Sequence, residues 1–171
     1  MMNQKIQDAL NGQLNAELFA SYLYLSMAAY FESQNLKGMA HWMQVQAQEE
    51  NMHAMKFFDF INERAGRVVL AQIEAPKTEW SAPLEAFEDA CQHESKVTGL
   101  INDLVDLSLS EKDHAANTFL QWFVTEQVEE EASTQEIRDK LKLAGDSPVA
   151  LFMIDQQLGQ RTPPAAPTAQ A

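Results

Sequence analysis

The stretch AQEENMHAMKFFDF, residues 47–60, decides the fold predicted for this chain. Its apolar residues recur every three or four positions, which is typical of an amphipathic helix with one buried face. Glu50 and His53 lie within that face, and their Glu-x-x-His spacing puts both side chains on one side of a helix. The stretch therefore predicts a long helix that carries a carboxylate and an imidazole towards the protein interior.

Prolines and glycines divide the remaining sequence into further helices. All six prolines lie at positions 76, 83, 148, 163, 164 and 167, so 1–75 and 84–147 contain none. Strand patterns are nearly absent. We predict helices at about 4–33, 37–65, 83–108, 111–144 and 148–158. The start signals of the last three are Ser81 with Pro83, Ser110 with Glu111, and Ser147 with Pro148.

The lengths of the links predict how these helices are arranged. The first two helices are joined by a short link, as are the third and fourth, which makes each pair antiparallel neighbours. The link 66–82 can extend to about 56 Å, whereas the second helix is about 44 Å long. We predict an all-α fold, a four-helix bundle with one long crossover and a short C-terminal fifth helix. Residues 1–160 form this domain, and 161–171 form a flexible tail rich in proline.

Composition excludes several classes of partner. The chain has 12 lysines and arginines against 25 aspartates and glutamates, a net charge of −13, which repels nucleic acid and anionic membranes. The uncharged stretch 18–31 is shorter than the roughly 18 residues of a membrane helix. Asp8 and Glu17 interrupt any secretory signal, and the lone Cys91 cannot form an internal disulfide. We expect a cytoplasmic protein that binds cations.

Acidic residues interrupt the core-facing stripe of every long helix near its midpoint. These acids are Glu17, Glu50, Glu94 and Glu130. Because midpoints meet whichever way the helices run, the acids converge with His53 and Gln127 in the bundle centre. Burying uncompensated carboxylates costs several kcal/mol or more per charge, and no lysine or arginine shares these stripes at that level. Two divalent cations would balance the four carboxylates.

The ligand types favour one class of metal. Carboxylate oxygens with one imidazole suit iron or manganese better than the thiolate-rich sites typical of zinc. Di-iron four-helix bundles combine single glutamates from two helices with Glu-x-x-His pairs from the other two. Here the second pair departs from that pattern and reads Gln127-x-x-Glu130.

Four segments together resemble the helix signatures of bacterial non-heme ferritins, over residues 3–160. They are LNAELFASYLYLSMAAYF (14–31), AQEENMHAMKFFDF (47–60), HESKVTGLIND (93–103) and FLQWFVTEQVEEEA (119–132). The resemblance implies a ferritin-like four-helix bundle that stores iron and has ferroxidase activity. Such a protein oxidises Fe(II) with O₂ or peroxide at a di-iron centre and deposits ferric oxo-hydroxide in a shell cavity.

The resemblance also assigns roles to individual residues. The first iron site is Glu17, Glu50 and His53, with Glu50 bridging; the second is Glu94 and Glu130, with Gln127 beside it. A third iron site matches Glu49, Glu126, Glu129 and Glu130. Tyr24 supplies an electron and guards against radicals, a role sometimes linked to Trp122. We assign no haem, because Gln127-x-x-Glu130 replaces the second Glu-x-x-His and Met52 is out of register with the haem methionine of bacterioferritins.

Assembly follows from the resemblance alone. The family implies 24 subunits in octahedral symmetry, with the fifth helix lining the four-fold axes, and the apolar run 149–154 suits burial against copies of itself. Two alternatives are open. A ferritin-like di-iron oxidase or peroxidase without storage, such as a rubrerythrin relative, lacks support because rubredoxin-type cysteines are missing. An acidic helical adaptor fails to explain the common level of the acids.

Other reactive residue types receive ordinary structural interpretations. His41, His93 and His114 have no ligand partners at helical spacing, so we expect them at the surface. We expect the eight methionines to fill the core. Cys91 is interpreted as a small buried apolar residue.

Overall fold

A computed structural model describes residues 2–164 of the chain. Its five helices are α1 (Gln4–Ser33), α2 (Lys37–Glu63), α3 (Pro83–Ser110), α4 (His114–Ala144) and α5 (Pro148–Leu158). Between residues 2 and 164 there is no strand, and none of the helices is long and apolar enough to cross a membrane. The predicted all-α fold is confirmed.

The observed N-terminal cap residues of α5 and α3 can be compared with those predicted from the sequence. Ser147 caps α5 as predicted, accepting a hydrogen bond from the amide of Ala150 at 3.3 Å. The cap residue of α3 is Ala82 rather than Ser81, whose amide and hydroxyl both donate to Glu85. Ser81 therefore stabilises the first turn of α3 from outside the helix.

The predicted start of α4 at Ser110 is wrong. Helix α3 continues through Ser110, and Lys112 takes a left-handed conformation with φ 56° between the two helices. Asp113 then caps α4 by accepting from the amide of Ala116 at 3.0 Å. Arg64 fixes the Asp113 carboxylate with bonds of 3.0 and 3.1 Å, so a tertiary contact selects this cap.

A layer of polar side chains divides the bundle core into two apolar halves. The first half includes Leu10, Leu14, Phe57, Ile101 and Phe123. The second half includes Met27, Phe31, Met43, Phe87 and Leu141. The buried layer between them holds Glu17, Glu50, His53, Glu94, Gln127 and Glu130. The four long helices therefore bring their midpoints to one level, as the sequence predicts.

The predicted long crossover is present between α2 and α3. Helix α2 ends in the first apolar half and α3 begins in the second, so residues 64–82 run the length of the bundle. The crossover lies along α1. Near its start, the amide of Arg67 donates to Gln7 Oε1 at 2.9 Å, and near its end Ser26 Oγ donates to the carbonyl of Lys77 at 2.7 Å.

Helix α5 packs against the start of α2 through Gly38 and Asp155. A Cβ atom on Gly38 would lie 1.6 Å from the carbonyl oxygen of Asp155, so only glycine permits this approach. The buried carboxylate of Asp155 accepts from the amide of Met39 at 2.8 Å. Leu36, the cap residue of α2, makes no side-chain bond, and Asp155 therefore caps α2 from another helix.

The predicted flexible tail begins with a residue that is held in place. Nε2 of His41 lies 2.7 Å from the carbonyl oxygen of Arg161, and the Arg161 guanidinium lies 4.3 Å from the ring centroid of Trp42. His41 is half-buried, which corrects its predicted surface position. Residues 165–171 of the predicted tail lie outside the described residues.

The predicted positions of the remaining histidines, Cys91 and the methionines are correct only in part. His114 is exposed as expected, but His93 is half-buried, with its ring centroid 6.1 Å from that of Tyr24, which corrects the surface prediction. Cys91 is only half-buried. Among the methionines, several fill the core but others are exposed, including Met55 and Met153.

Candidate metal centre

Glu17 brings a carboxylate from α1 into the polar layer. Its side chain is almost fully buried, and Gln13 one turn earlier donates to Oε1 at 2.7 Å. Its other oxygen, Oε2, has no hydrogen-bond partner among residues 2–164. Burial, followed by the charge of Glu50, raises the pKa of Glu17 well above its usual value. A buried carboxylate oxygen left without a donor is a fit position for a cation.

Glu50 and His53 come together on one face of α2. Nδ1 of His53 lies 3.3 Å from Glu50 Oε2 and 3.9 Å from Glu17 Oε2. Burial alone would raise the pKa of Glu50, but the hydrogen bond and charge of His53 lower it overall. Burial alone would lower the pKa of His53, but the hydrogen bond and charge of Glu50 raise it overall. Each member of the pair therefore stabilises the charged form of the other and offsets the effect of burial on its pKa.

Glu94 brings the third carboxylate from α3. The hydroxyl of Tyr24 donates to its Oε1, and Nε2 of Gln127 donates to its Oε2 at 3.2 Å. Burial, followed by the charge of Glu50, raises the pKa of Glu94 to about 8. Gln127 also contacts Thr98 at 3.3 Å, so its amide nitrogen is directed towards α3. These contacts fix the orientation of Glu94.

Glu130 completes the set from α4. Nε2 of Gln46 donates to Glu130 Oε2 at 2.7 Å and to Glu50 Oε1 at 2.8 Å. Burial, followed by the charges of Glu50 and Glu94, raises the pKa of Glu130 well above its usual value. One neutral amide thus joins carboxylates from α2 and α4.

Three overlapping groups of side chains have ligand atoms within 4.8 Å of one another. They are Glu17 with Glu50 and His53, Glu50 with Glu94 and Glu130, and His53 with Glu126 and Glu130. Glu50 belongs to the first two groups, so its two oxygens are able to bridge a pair of cations. Throughout residues 2–164, no lysine or arginine forms an ion pair with any of the four buried glutamates.

The structure brings together only part of the predicted third site. Glu126 Oε1 lies 3.8 Å from His53 Nε2, which places Glu126 beside the central cluster. Glu129 is exposed, and Glu49 is half-buried and paired with Arg161. Neither Glu49 nor Glu129 belongs to the three groups found among the described residues.

Two aromatic side chains flank the centre. Tyr24 is fully buried and contacts Glu94 directly. Trp122 is 39% exposed, with its ring 5.4 Å from that of His53 in an edge-on arrangement. Lys56 Nζ lies 4.2 Å from the Trp122 ring centroid. Tyr24 therefore contacts one side of the centre, and Trp122 lies between His53 and the surface.

Sequence reasoning missed the hydrogen bonds that Gln13 and Gln46 donate to the buried glutamates. Each lies four residues before a buried glutamate on its own helix, Gln13 before Glu17 and Gln46 before Glu50. A glutamine at i−4 is able to donate to a glutamate one turn later, so this spacing is a signal that the sequence does contain. The second bond of Gln46, to α4, has no local signal.

The centre and its fold match one family of known proteins. The Ferritin-like domain family matches residues 7–144. The chain is 48% identical over 161 residues to the bacterial non-heme ferritin of Bacteroides fragilis, covering 94% of this chain and 100% of that protein. It is 40% identical over 162 residues to the bacterial non-heme ferritin of Staphylococcus saprophyticus, covering 95% and 97%.

Solved structures give the same result. An open pore ferritin from the hyperthermophilic archaeon Archaeoglobus fulgidus superposes with a TM-score of 0.94 at 52% identity, covering 95% of this chain and 100% of that one. A form of the same ferritin engineered to be closed superposes with a TM-score of 0.95 at 52% identity, covering 96% and 100%. With matches of this extent in both sequence and structure, the chain belongs to the ferritin family.

Proposed function

We propose that this protein stores iron and acts as a ferroxidase, with Fe(II) as its substrate. The proposal rests on one observation, that five side chains lie at the same level of the bundle in the buried layer. They are Glu17, Glu50, His53, Glu94 and Glu130. Four carboxylates with one imidazole and no lysine or arginine partner need positive charge from elsewhere, and two divalent cations supply it. Because the chain belongs to the ferritin family, we assign these cations as iron.

The first Fe(II) binds Glu17, Glu50 and His53, and the second binds Glu50, Glu94 and Glu130. The support for these sites is the sharing of Glu50 between two ligand groups. Gln13, Gln46 and Gln127 hold the carboxylates in position through their amide nitrogens, so the ligands are oriented before iron arrives. Gln127 acts in this way rather than as a direct ligand.

Oxidation uses the preference of hard carboxylate oxygens for Fe(III) over Fe(II). A pair of Fe(II) ions supplies the two electrons that reduce O₂, with two protons, to H₂O₂, and H₂O₂ accepts electrons in the same way to give water. Hydrolysis of each Fe(III) by two waters gives ferric oxo-hydroxide and releases three protons. Tyr24, hydrogen-bonded to Glu94, is placed to supply a further electron.

A third iron site lies beside the pair, towards the side of α2 and α4. Glu126 and Glu130 are its central ligands, with Glu49 and Glu129 on the same side. The position of Glu126 next to His53 supports this assignment. Iron leaving the pair would pass these carboxylates on its way to a mineral cavity.

Storage needs an enclosing shell, and α5 supports one. Its outward face exposes three large apolar side chains, Val149, Phe152 and Met153. Its only charged residue, Asp155, is buried against α2. An apolar, uncharged face suits burial against copies of itself at a symmetry axis. The shell has 24 subunits, and the protein acts in the cytoplasm.

A single substitution tests the ferroxidase proposal. Glu130→Ala removes a ligand shared by two groups, so the initial rate of Fe(II) oxidation by O₂ should fall at least about tenfold. The matched control is Glu136→Ala, an exposed glutamate six residues later on α4. Stopped-flow absorbance of the ferric product gives both rates. An initial rate that Glu130→Ala leaves unchanged would contradict the proposed centre.

A further inference from the structure

Arg161 makes four contacts that fix it against α2 after the end of α5. Its Nη2 forms an ion pair with Glu49, and its Nη1 donates to the carbonyl of Trp42 at 3.3 Å. Its guanidinium lies over the Trp42 ring, and its own carbonyl oxygen contacts His41. The charged ends of Arg161 and Glu49 are both largely shielded, with side-chain exposures of 20% and 23%. This is a built contact rather than a chance surface pair.

Glu49 differs in this respect from the carboxylate nearest to it in the proposed third site. Among residues 2–164, His53 is the only basic side chain within ion-pair distance of Glu126, so this carboxylate is available to a cation. Glu49 lies one turn before His53 on α2, so both residues are on one side of that helix, and His53 Nε2 lies 3.8 Å from Glu126 Oε1. The positive charge that compensates Glu49 comes from Arg161 instead of iron.

We propose that Arg161 competes with iron for Glu49 and thereby weakens the third iron site relative to the central pair. The inference rests on the proposed function and concerns the regulation of that site. A cation that recruits Glu49 must first displace the guanidinium. Iron is therefore retained briefly at Glu126 and Glu130 and passes on, because the ligand that would complete the site is already occupied.

Equilibrium dialysis with Co(II), which air does not oxidise under these conditions, measures binding without turnover. The metal-free assembled protein is compared with Arg161→Gln, Glu49→Gln and the double variant, and bound Co(II) per chain is fitted to separate sites. Arg161→Gln should tighten the weakest site about fivefold or more, because a pair this shielded contributes at least as much as an exposed ion pair, and leave the two tight sites unchanged. Particle mass by sedimentation verifies that each variant assembles.

The double variant decides whether Glu49 carries the effect. If Arg161 acts through Glu49, replacing Arg161 in the Glu49→Gln background should leave the Co(II) affinity of the weakest site unchanged. An equal tightening in that background would overturn the proposal, since the arginine would then act on other carboxylates. No change in Arg161→Gln alone would overturn it as well. Failure of the unmodified protein to bind two tight ions would instead refute the proposed metal centre itself.

Discussion

The side-chain amide of Gln46 on α2 donates a hydrogen bond to Oε2 of Glu130 on α4 at 2.7 Å. The same nitrogen donates to Oε1 of Glu50 at 2.8 Å. A neutral group thus fixes two carboxylates from different helices without supplying the charge that would make a cation unnecessary. This geometry fixes the orientation of two carboxylates that we propose as cation ligands.

Replacing Gln46 by leucine should therefore impair the centre without removing a ligand. We expect Gln46→Leu to weaken anaerobic Fe(II) binding about 10- to 100-fold, because Glu50 and Glu130 lose a shared donor. Gln48→Leu, at an exposed position on the same helix, is the matched control. Titration calorimetry under nitrogen measures both affinities. Equal affinities in the two variants would show that Gln46 has no orienting role.

Tyr24→Phe separates metal binding from electron supply. The variant keeps the buried ring and loses the hydroxyl that donates to Glu94. It should bind the same number of Fe(II) ions as the unmodified protein. We expect the unmodified protein to give a tyrosyl radical signal in electron paramagnetic resonance after an air pulse, and Tyr24→Phe to lack it. Tyr22→Phe, which alters an exposed tyrosine on the same helix, should keep the signal. A radical of unchanged intensity in Tyr24→Phe would refute the assignment.

The metal-free protein should lose stability as the pH rises from about 5 to 8. The pKa of Glu94 is raised from 4.5 to about 8, and those of Glu17 and Glu130 are also raised. Between the ordinary and the raised pKa, the folded protein keeps protons that the unfolded chain has lost. The free energy of unfolding therefore falls by about 1.4 kcal/mol per pH unit for each retained proton.

The raised pKa of His53 has the same sign in this range, because stability from a protonated histidine is lost as the pH increases. Denaturant unfolding of metal-free protein at a series of pH values measures the slope. Glu94→Gln should flatten it, since the amide cannot ionise. A free energy of unfolding that increases across this range would contradict the burial of several carboxylates without compensating charge.

Gly38→Ala should disrupt the docking of α5. The new methyl group would overlap the carbonyl of Asp155, and relief of that clash should cost about 1–3 kcal/mol. Gly99→Ala is the matched control, because a Cβ on Gly99 meets no atom within 4 Å and alanine favours a helix by about 0.5–1 kcal/mol. Thermal unfolding and particle mass report the outcome. A Gly38→Ala variant as stable and as large as the control would show that α5 is not held by this contact.

The fold was predictable because its signals are local and repeated. The positions of the prolines and the helical periodicity give the five helices, and the reach of the link 66–82 gives the crossover. The start of α4 was not predictable, since Ser110 and Asp113 are both good cap residues in sequence. Arg64, which is 49 residues from Asp113, selects between them in the folded protein.

The same holds for the candidate site. Features set by local sequence patterns could be predicted, whereas contacts between distant residues could not. The four central glutamates could be predicted from the sequence. Each lies on the apolar stripe of its helix near the midpoint, and helix geometry alone brings these positions to one level. The pairing of Glu49 with Arg161 spans 112 residues and involves a segment whose prolines suggest a loose tail. No pattern within the sequence connects these two residues, so the third site was predicted with a ligand that the structure finds occupied.

The most direct test of the central claim is an anaerobic Fe(II) titration followed by an air pulse, with absorbance recorded from the ultraviolet to the visible and particle mass taken on the same sample. We predict two tightly bound Fe(II) ions per chain, rapid oxidation after the pulse and a particle of many subunits. Two ions in a small oligomer would keep the oxidation chemistry and exclude storage. Absence of bound Fe(II) would contradict the claim that the buried glutamates form an iron centre.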